Sequence, residues 1–368
     1  ILGATGTVGQ RFVSLLNDHP YFKINELLAS ERNSGRTYRE ACVWKQDHPM
    51  PDEIARMRLR QPEDPLESTL LFSGLDSSVA GEVERYYAER GHIIISNAKN
   101  FRMDEQVPLV IPEVNPDHFA LLAAQEWAGA IVTNSNCSTM FLAMALAPLE
   151  ETFGLEAVQV STMQAISGAG YPGVPSLDIL GNVVPYISGE EEKLEEETQK
   201  ILGRLSGGAV EPASFVVSAQ CNRVPVVDGH LETVSFSLRQ KAGIEEVARV
   251  LASFRGLPQR LELPSAPNRP LIMMEEPDRP QPARDIGIER GMSTLIGRLR
   301  PCPVLDYRMV ILGHNTIRGA AGAAVLNAEA MYRLGLLGDD PAAGIDTREL
   351  KERAARLRGV EELTASAI

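Results

Sequence analysis

Cysteine is sparse in this chain. Four occur in 368 residues, Cys42, Cys137, Cys221 and Cys302, and none forms a Cys-x-x-Cys pair. That spacing speaks against a disulfide framework or a zinc site, so no metal is expected and a reducing cytoplasm is the expected setting. Basic residues are also in deficit: 36 Lys and Arg face 49 Asp and Glu, a formal charge of −13. A surface of that sign is poorly suited to nucleic acid or an anionic membrane, so neither is an expected partner. An anionic substrate would have to be drawn by locally clustered arginines and lysines. No apolar run reaches membrane-spanning length, no signal-peptide pattern is visible, and no internal repeat is found. Hydrophobic content of 44% with 23% charged residues is ordinary for a globular protein, and the length suffices for two domains.

The chain opens at Ile1-Leu2 without Met and reads as starting inside a strand, which predicts that a few residues precede it. Gly3-Ala4-Thr5-Gly6-Thr7-Val8-Gly9 then reads as a glycine turn, followed by a helix through Phe12, Val13, Leu15 and Leu16. Such a turn lets backbone approach a pyrophosphate at a helix N-terminus, although a glycine turn alone is a weak signal. A strand from Glu26 to Ala29 leads to Ser30, Glu31, Arg32, Asn33 and Ser34. Hydroxyls and two arginines, Arg32 and Arg36, around a single glutamate suit a 2′-phosphate, hence NADP rather than NAD; a solvated charged loop is the competing reading. Further strands are predicted at 69–72, 92–95, 108–111 and 129–132, with a helix around Ala80 to Arg90. The alternation predicts a doubly wound parallel α/β domain ending near Asn134, with Ser73-Gly74 and Ser96-Asn97 at ligand-binding strand ends.

Beyond Cys137 the strands lengthen and alternate, at 158–165, 215–218, 232–236 and 307–311. They predict a mixed, largely antiparallel sheet in a second, α+β domain. The charged stretch from Gly189 to Gly203 reads as a solvated helix, and the proline-rich stretch from Leu257 to Arg284 as a surface wrap. A last strong helix follows Asn315-Thr316 and is expected to pack back on the first domain, with a peripheral tail after Leu337. The expected division is residues 1–134 with 314–368, against residues 135–313.

The most telling stretch is Ala130-Ile131-Val132-Thr133-Asn134-Ser135-Asn136-Cys137-Ser138-Thr139-Met140. A strand runs through a polar turn into a long apolar helix, which puts Cys137 at or near a capped N-terminus. There the free amides and the helix dipole favour a thiolate and could hold an oxyanion. A small buried thiol at a strand–helix junction would carry the same local sequence. A cysteine nucleophile needs a base. Among six histidines, His230 has the best setting, in a turn leading into a strand; His19, His48, His92, His118 and His314 are less well placed.

Taken together, the glycine turn, Ser135-Asn136-Cys137-Ser138-Thr139, Gln164-Ala165-Ile166-Ser167-Gly168-Ala169-Gly170, Cys221-Asn222-Arg223-Val224-Pro225-Val226, Asp228-Gly229-His230 and Asn315-Thr316-Ile317-Arg318-Gly319 resemble the aspartate-β-semialdehyde dehydrogenase family over nearly the whole chain. The stretches 171–178 and 182–187 look most like its archaeal and fungal branch. The resemblance implies a Rossmann-type NADP domain and a catalytic and dimerisation domain, in a homodimer or homotetramer. It implies Cys137 as nucleophile, His230 as acid/base, and Gln164 orienting the acyl group. Arg223 would hold the substrate α-carboxylate, Glu190 its amine and Lys193 the phosphate, with Arg102 and Asn136 completing that pocket. The run Glu190-Glu191-Glu192 blurs which glutamate matches. NADP would lie against Gly3, Thr5, Gly6, Thr7, Val8, Gly9, Ser30, Arg32, Ser34, Ser73, Gly74, Asn97, Ser167, Gly168, Asn315 and Thr316. Cys221 is the rival thiol and reads as supporting structure. The alternatives are a related acyl-thioester or acyl-phosphate reductase, of the malonyl-CoA or N-acetyl-glutamyl-phosphate type, or an inactive NADP-binding protein.

Overall fold

Five short strands build the first sheet: β1 (Leu27–Leu28), β2 (Leu59–Arg60), β3 (Leu70–Ser73), β4 (Ile93–Ser96) and β5 (Ala130–Thr133). The computed structural model describes residues 1–338 and 345–357. Leu2 bridges in parallel to both Leu28 and Ser73, and Leu109 bridges in parallel to Thr133. The order is therefore β2, β1, the Leu2 segment, β3, β4, β5, then the Leu109 segment, all parallel. The chain starts in the middle, winds outward one way and returns to wind the other, so the switch point lies at the end of the Leu2 segment. The strand predicted at 108–111 is reduced to the single bridge at Leu109.

Alternate residues of these strands feed two cores. Ile93, Ile95, Ala130 and Val132 pack with Phe12 and Leu16 of helix α1 (Thr7–Leu16) on one face. Ile94, Ile131 and Leu71 pack with Val83, Tyr87 and Ala88 of helix α2 (Ser77–Ala88) on the other. Both faces are covered, which is why the strands are continuously apolar.

Helix α3 (Cys137–Phe153) leaves the end of β5 and is buried on nearly every side. The second sheet follows with β6 (Leu155–Gln164), helix α4 (Glu190–Ile201), a small hairpin of β7 (Arg204–Ser206) and β8 (Ala209–Glu211), β9 (Val216–Arg223), β10 (His230–Leu238), helix α5 (Ile244–Ser253), β11 (Leu271–Met274), β12 (Thr294–Pro301) and β13 (Tyr307–Gly313). Its order is β11-β12-β13-β10-β6-β9. The outer pairs β11–β12 and β6–β9 are parallel and the three inner pairs antiparallel, the mixed sheet expected from the alternating pattern. Met140, Phe141 and Met144 of α3 pack against Val158, Val160, Val234, Phe236 and Ile311.

Two expectations need correction. The segment 257–284 does not only wrap the surface: β11 within it adds a parallel edge strand beside β12. Pro270 ends the preceding loop and leaves Leu271 and Ile272 free to be buried. Helix α4 is not a solvated face either, since Glu190, Glu197 and Lys200 are buried along with Leu194 and Ile201.

The chain then returns to the first sheet. Helix α6 (Gly322–Arg333) joins the core of Phe12, Phe72 and Val110. Helix α7 (Thr347–Arg356) buries Leu350 and Ala354, and Lys351 Nζ donates to the carbonyls of Gln125, at 2.8 Å, and Trp127. The rest of the tail, 339–344 and 358–368, lies outside the described residues. At the entry to α6, Arg318 pairs with Glu113 at 2.6 Å, and neither side chain reaches solvent. Arg318→Met would strand the Glu113 carboxylate in the interior, at a cost of about 3–5 kcal/mol. Thermal unfolding should show a sharp drop in the midpoint of this variant and substantial recovery in Glu113→Gln/Arg318→Met. An unchanged midpoint in the single variant would mean that the pair does not secure this join.

Candidate active site

The register of three strands assembles one row of side chains. Gln164 on β6 lies opposite Arg223 on β9, and Leu231 on β10 opposite Met163, so Gln164, Arg223 and His230 end on one face at one edge. One row further from this edge, the same face carries Thr162, Cys221 and Glu232, all fully buried. A strand's period of two places this second row directly beneath the first. Arg223 Nη1 donates to Ala165 O at 2.8 Å. Among the described residues its only side-chain acceptor is this carbonyl, which leaves Nη2 and Nε without a protein partner. Gln164 lies beside the Glu190 carboxylate.

Helix α3 brings Cys137 to this row. Asn136 is its N-cap, with Oδ1 accepting from Ser138 N at 2.9 Å and Thr139 N at 3.2 Å. The cap was legible in the sequence, but it occupies two amides that were candidates for holding an oxyanion. Cys137 Sγ lies 3.1 Å from His230 Nε2. Ala165 N–H donates to His230 Nδ1 at 3.0 Å, so in the neutral ring the proton sits on Nε2 and points at the sulfur. Burial, reinforced by the positive Arg223, pushes the His230 pKa down to about 3. Burial first, and Glu190 second, push the Cys137 thiol up to about 12 against the pull of Arg102 and Arg223. The pair therefore rests as neutral thiol and neutral imidazole, not as the thiolate that the helix terminus alone suggests. Desolvation outweighs the dipole here. Cys221, whose described side-chain partner is Thr162, is also pushed up to about 12 by burial.

Helix α4 closes the site from the side. Glu190 Oε1 accepts from Asn136 Nδ2 at 2.6 Å and Oε2 from Lys193 Nζ at 2.8 Å. Its neighbours face elsewhere: Glu191 accepts from Cys221 N, and Glu192 is exposed. Arg102 arrives from the loop after β4, donating to Glu197 Oε1 at 2.9 Å and Asn97 O at 2.6 Å. Cys137, His230, Gln164, Arg223, Glu190, Lys193, Arg102 and Asn136 thus form one connected group. Glu197 was not anticipated. Its signal was the seven-residue spacing from Glu190, two turns along one helix face.

The glycine turn meets the needs of a dinucleotide. A Cβ on Gly3 would sit 2.8 Å from Gly74 O, and one on Gly9 would sit 2.2 Å from Gly3 O, so turn, helix and the β3 end touch through backbone. Gly6 caps α1 without a side chain, leaving the amides of Thr7 and Val8 at an open helix start beside Thr5. Ser30, Arg32 and Ser34 are exposed after β1, the neighbour of the Leu2 segment. Ser73 and Asn97 are tied to the strand ends, with Asn97 Nδ2 donating to Ser73 O at 3.0 Å. Asn315 is occupied in holding the second sheet's loops, donating to Ser167 Oγ at 2.7 Å and accepting from Gly229 N at 2.8 Å. Thr316 Oγ1 accepts from Arg11 Nε at 3.2 Å. Gly168 lies against His230 and Arg223, where a Cβ would come within 3.0 Å of both. Gly319, also unanticipated, would put a Cβ 2.8 Å from that of Cys137. Among the described residues no group of three or more His, Cys, Asp or Glu could hold a metal.

A parallel sheet with an open glycine turn, joined through a helix that starts at Cys137 to a mixed sheet bearing His230, is the two-domain design of the semialdehyde dehydrogenases. Residues 1–122 match the family model for the semialdehyde dehydrogenase NAD binding domain, and residues 146–318 that for the semialdehyde dehydrogenase dimerisation domain. The chain is 49% identical to the aspartate-semialdehyde dehydrogenase of Methanothermobacter thermautotrophicus over 91% of its own length and 98% of that protein. It is 47% identical to the Schizosaccharomyces pombe enzyme, over 92% and 98%. The crystal structure of aspartate semialdehyde dehydrogenase with NADP from Candida albicans superposes with a TM-score of 0.84 at 43% identity, covering 90% of this chain and 97% of that one. The chain belongs to the aspartate-semialdehyde dehydrogenase family.

With the Cys137 pKa raised, the reactive thiolate fraction is small at neutral pH and grows with every unit of pH. Iodoacetamide labelling of Cys137 in the unliganded enzyme should accelerate about tenfold per unit from neutrality to about pH 9. A rate already level near neutrality would show a preformed thiolate and overturn this resting state.

Proposed function

We propose that the chain catalyses NADP-dependent reductive dephosphorylation of β-aspartyl phosphate to aspartate semialdehyde, and the reverse phosphate-dependent oxidation, in lysine, threonine and methionine biosynthesis. The observation that carries this is the 3.1 Å contact between Cys137 Sγ and His230 Nε2 at the capped start of α3.

In the oxidative direction Cys137 Sγ forms a bond to the aldehyde carbon, and the thiol proton passes to the carbonyl oxygen. His230 Nε2–H, now facing the sulfur, is within reach of that oxygen and donates to it as charge develops. For His230 to accept a proton at Nε2, the ring must carry its proton on Nδ1 and give up the Ala165 contact, so the present geometry is that of the donor step. NADP⁺ bound here would supply the hydride acceptor for the thiohemiacetal carbon, and the hydroxyl proton released in that oxidation would pass to His230 Nε2 in the tautomer protonated at Nδ1. The open amides of Thr7 and Val8 suit its pyrophosphate, and Ser30, Arg32 and Ser34 its 2′-phosphate. Phosphate oxygen then bonds to the thioester carbon, and the C–S bond breaks to return Cys137. Arg223 holds the substrate α-carboxylate through its free donor edge, and Gln164 orients the acyl group. Glu190, tied to Asn136 and Lys193, presents its remaining lone pairs to the amine, while Lys193, Arg102 and Asn136 border the phosphate.

Residues 1–134 and 314–368 are read as the NADP-binding domain, and residues 135–313 as the catalytic and dimerisation domain. Self-association as a homodimer or homotetramer is supported by Leu177, Leu180, Val183 and Tyr186, large apolar residues exposed on one segment of the second domain. Four free thiols suit a cytoplasmic setting. Reduction of a CoA ester is not favoured by relatives of 42–49% identity that carry the aspartate-semialdehyde name.

Steady-state assay tests the reading. Oxidation of aspartate semialdehyde should require inorganic phosphate, accept arsenate in its place, and prefer NADP to NAD; Cys137→Ala should abolish it with folding intact. Phosphate-independent turnover, or activity lost in Cys221→Ala and kept in Cys137→Ala, would reject it. Arg223→Lys keeps the charge but loses the planar fork, and a charge-assisted bond contributes about 1.5–3 kcal/mol. Its kcat/KM should fall about tenfold or more while the unfolding midpoint barely moves. A lowered midpoint with near-normal kinetics would make Arg223 a structural residue.

A further inference from the structure

Helix α4 carries a second carboxylate whose contacts run to the nucleophile's cap and to the loop opposite. Glu197 is buried, and both oxygens are engaged, one at the start of α3 and one across the domain join. Oε2 accepts the backbone N–H of Asn136 at 2.6 Å, and Oε1 accepts Arg102 Nη1 at 2.9 Å. These are charge-assisted bonds between buried groups, the class in which losing one partner is most costly. One turn on, Lys200 Nζ donates to the carbonyls of Arg102 and Asp104 at 2.7 Å and of Val107 at 3.1 Å, so the same helix face grips the loop that carries Arg102. Asn136 is thereby held at its main chain by Glu197 and at its side chain by Glu190, 2.6 Å away. Its own Oδ1 is left to cap Ser138 and Thr139.

We propose that Glu197 is a positioning residue for the reaction, fixing the Asn136 cap from which Cys137 projects and, with its other oxygen, the guanidinium of Arg102 at the anion side of the site. It touches no substrate. Its two oxygens set the relative placement of a nucleophile carried by α3 and a cation carried by the first sheet. A carboxylate is needed because only it accepts at both positions.

Two variants separate these tasks. Glu197→Ala removes both acceptors. Glu197→Gln keeps one oxygen for Asn136 N–H but turns its amide N–H groups toward Arg102, which they cannot pair. Iodoacetamide labelling of Cys137 at about pH 8.5 reads the cap without any substrate: it should slow about fivefold or more in Glu197→Ala and recover in Glu197→Gln. The phosphate arm rests on the function proposed above. There Glu197→Gln should raise KM for phosphate about fivefold or more, with a smaller loss of kcat than Glu197→Ala. Should Glu197→Ala not fold, the KM shift in Glu197→Gln decides. Labelling rates and phosphate KM that match the parent enzyme in folded variants overturn the proposal, even if the unfolding midpoint falls. A lowered phosphate KM in Glu197→Gln also overturns it, because Glu197 would then mask Arg102. Failure of the parent enzyme to turn over aspartate semialdehyde would reject the proposed function, while the labelling comparison would still judge Glu197.

Discussion

The buried start of helix α3 is the point on which the rest of the site depends. A helix terminus leaves unpaired amides, and inside a protein these must find partners. Asn136 supplies them from its side chain and is itself tied to Glu190 and Glu197 of α4. The first sheet delivers this turn through β5, and the second sheet grips it through α4. The nucleophile's position is therefore a property of the join between the two halves. The same logic recurs at Arg318, which locks the returning chain to Glu113 where α6 begins.

Burial also fixes the electrical state of the site. Cys137, His230, Glu197 and Glu232 all lie where charge is poorly solvated, and each is displaced toward its neutral form. Arg223 and Arg102 pull the thiol back toward ionisation, but less strongly than desolvation opposes it. A site in this condition solvates charge poorly and holds its hydrogen-bonding groups in fixed positions. An incoming anion would meet Arg223, whose only side-chain acceptor among the described residues is Ala165 O.

Much of the fold was legible because it is periodic. The short apolar runs interrupted by glycine and polar turns specify parallel strands covered on both sides, and Ile93 to Ile95 illustrate why: successive side chains feed opposite cores. The alternation at 232–236 marked a strand of the second sheet for the same reason. The proline-rich stretch 257–284 hides its strand because four residues, Leu271 to Met274, are too few to show a period. Helix α4 was recognised as a helix, but its charges look like those of a solvated face. Only the surroundings reveal that Glu190, Glu197 and Lys200 point inward.

By itself the sequence determined the local structures that carry chemistry: the glycine turn before α1, the Asn136 cap before Cys137, and the histidine opening β10. Each is set by contacts within a few residues, where backbone geometry and capping act. The tertiary structure decided what those pieces face. It put His230 Nε2 against Cys137 Sγ across 93 positions of chain, joined Glu197 to Arg102 across 95, and buried the thiol deeply enough to keep its proton. Strand register and the packing of α4 on the α3 start govern those distances, and desolvation depends on everything that packs around a group. Neither is encoded in any short stretch of residues.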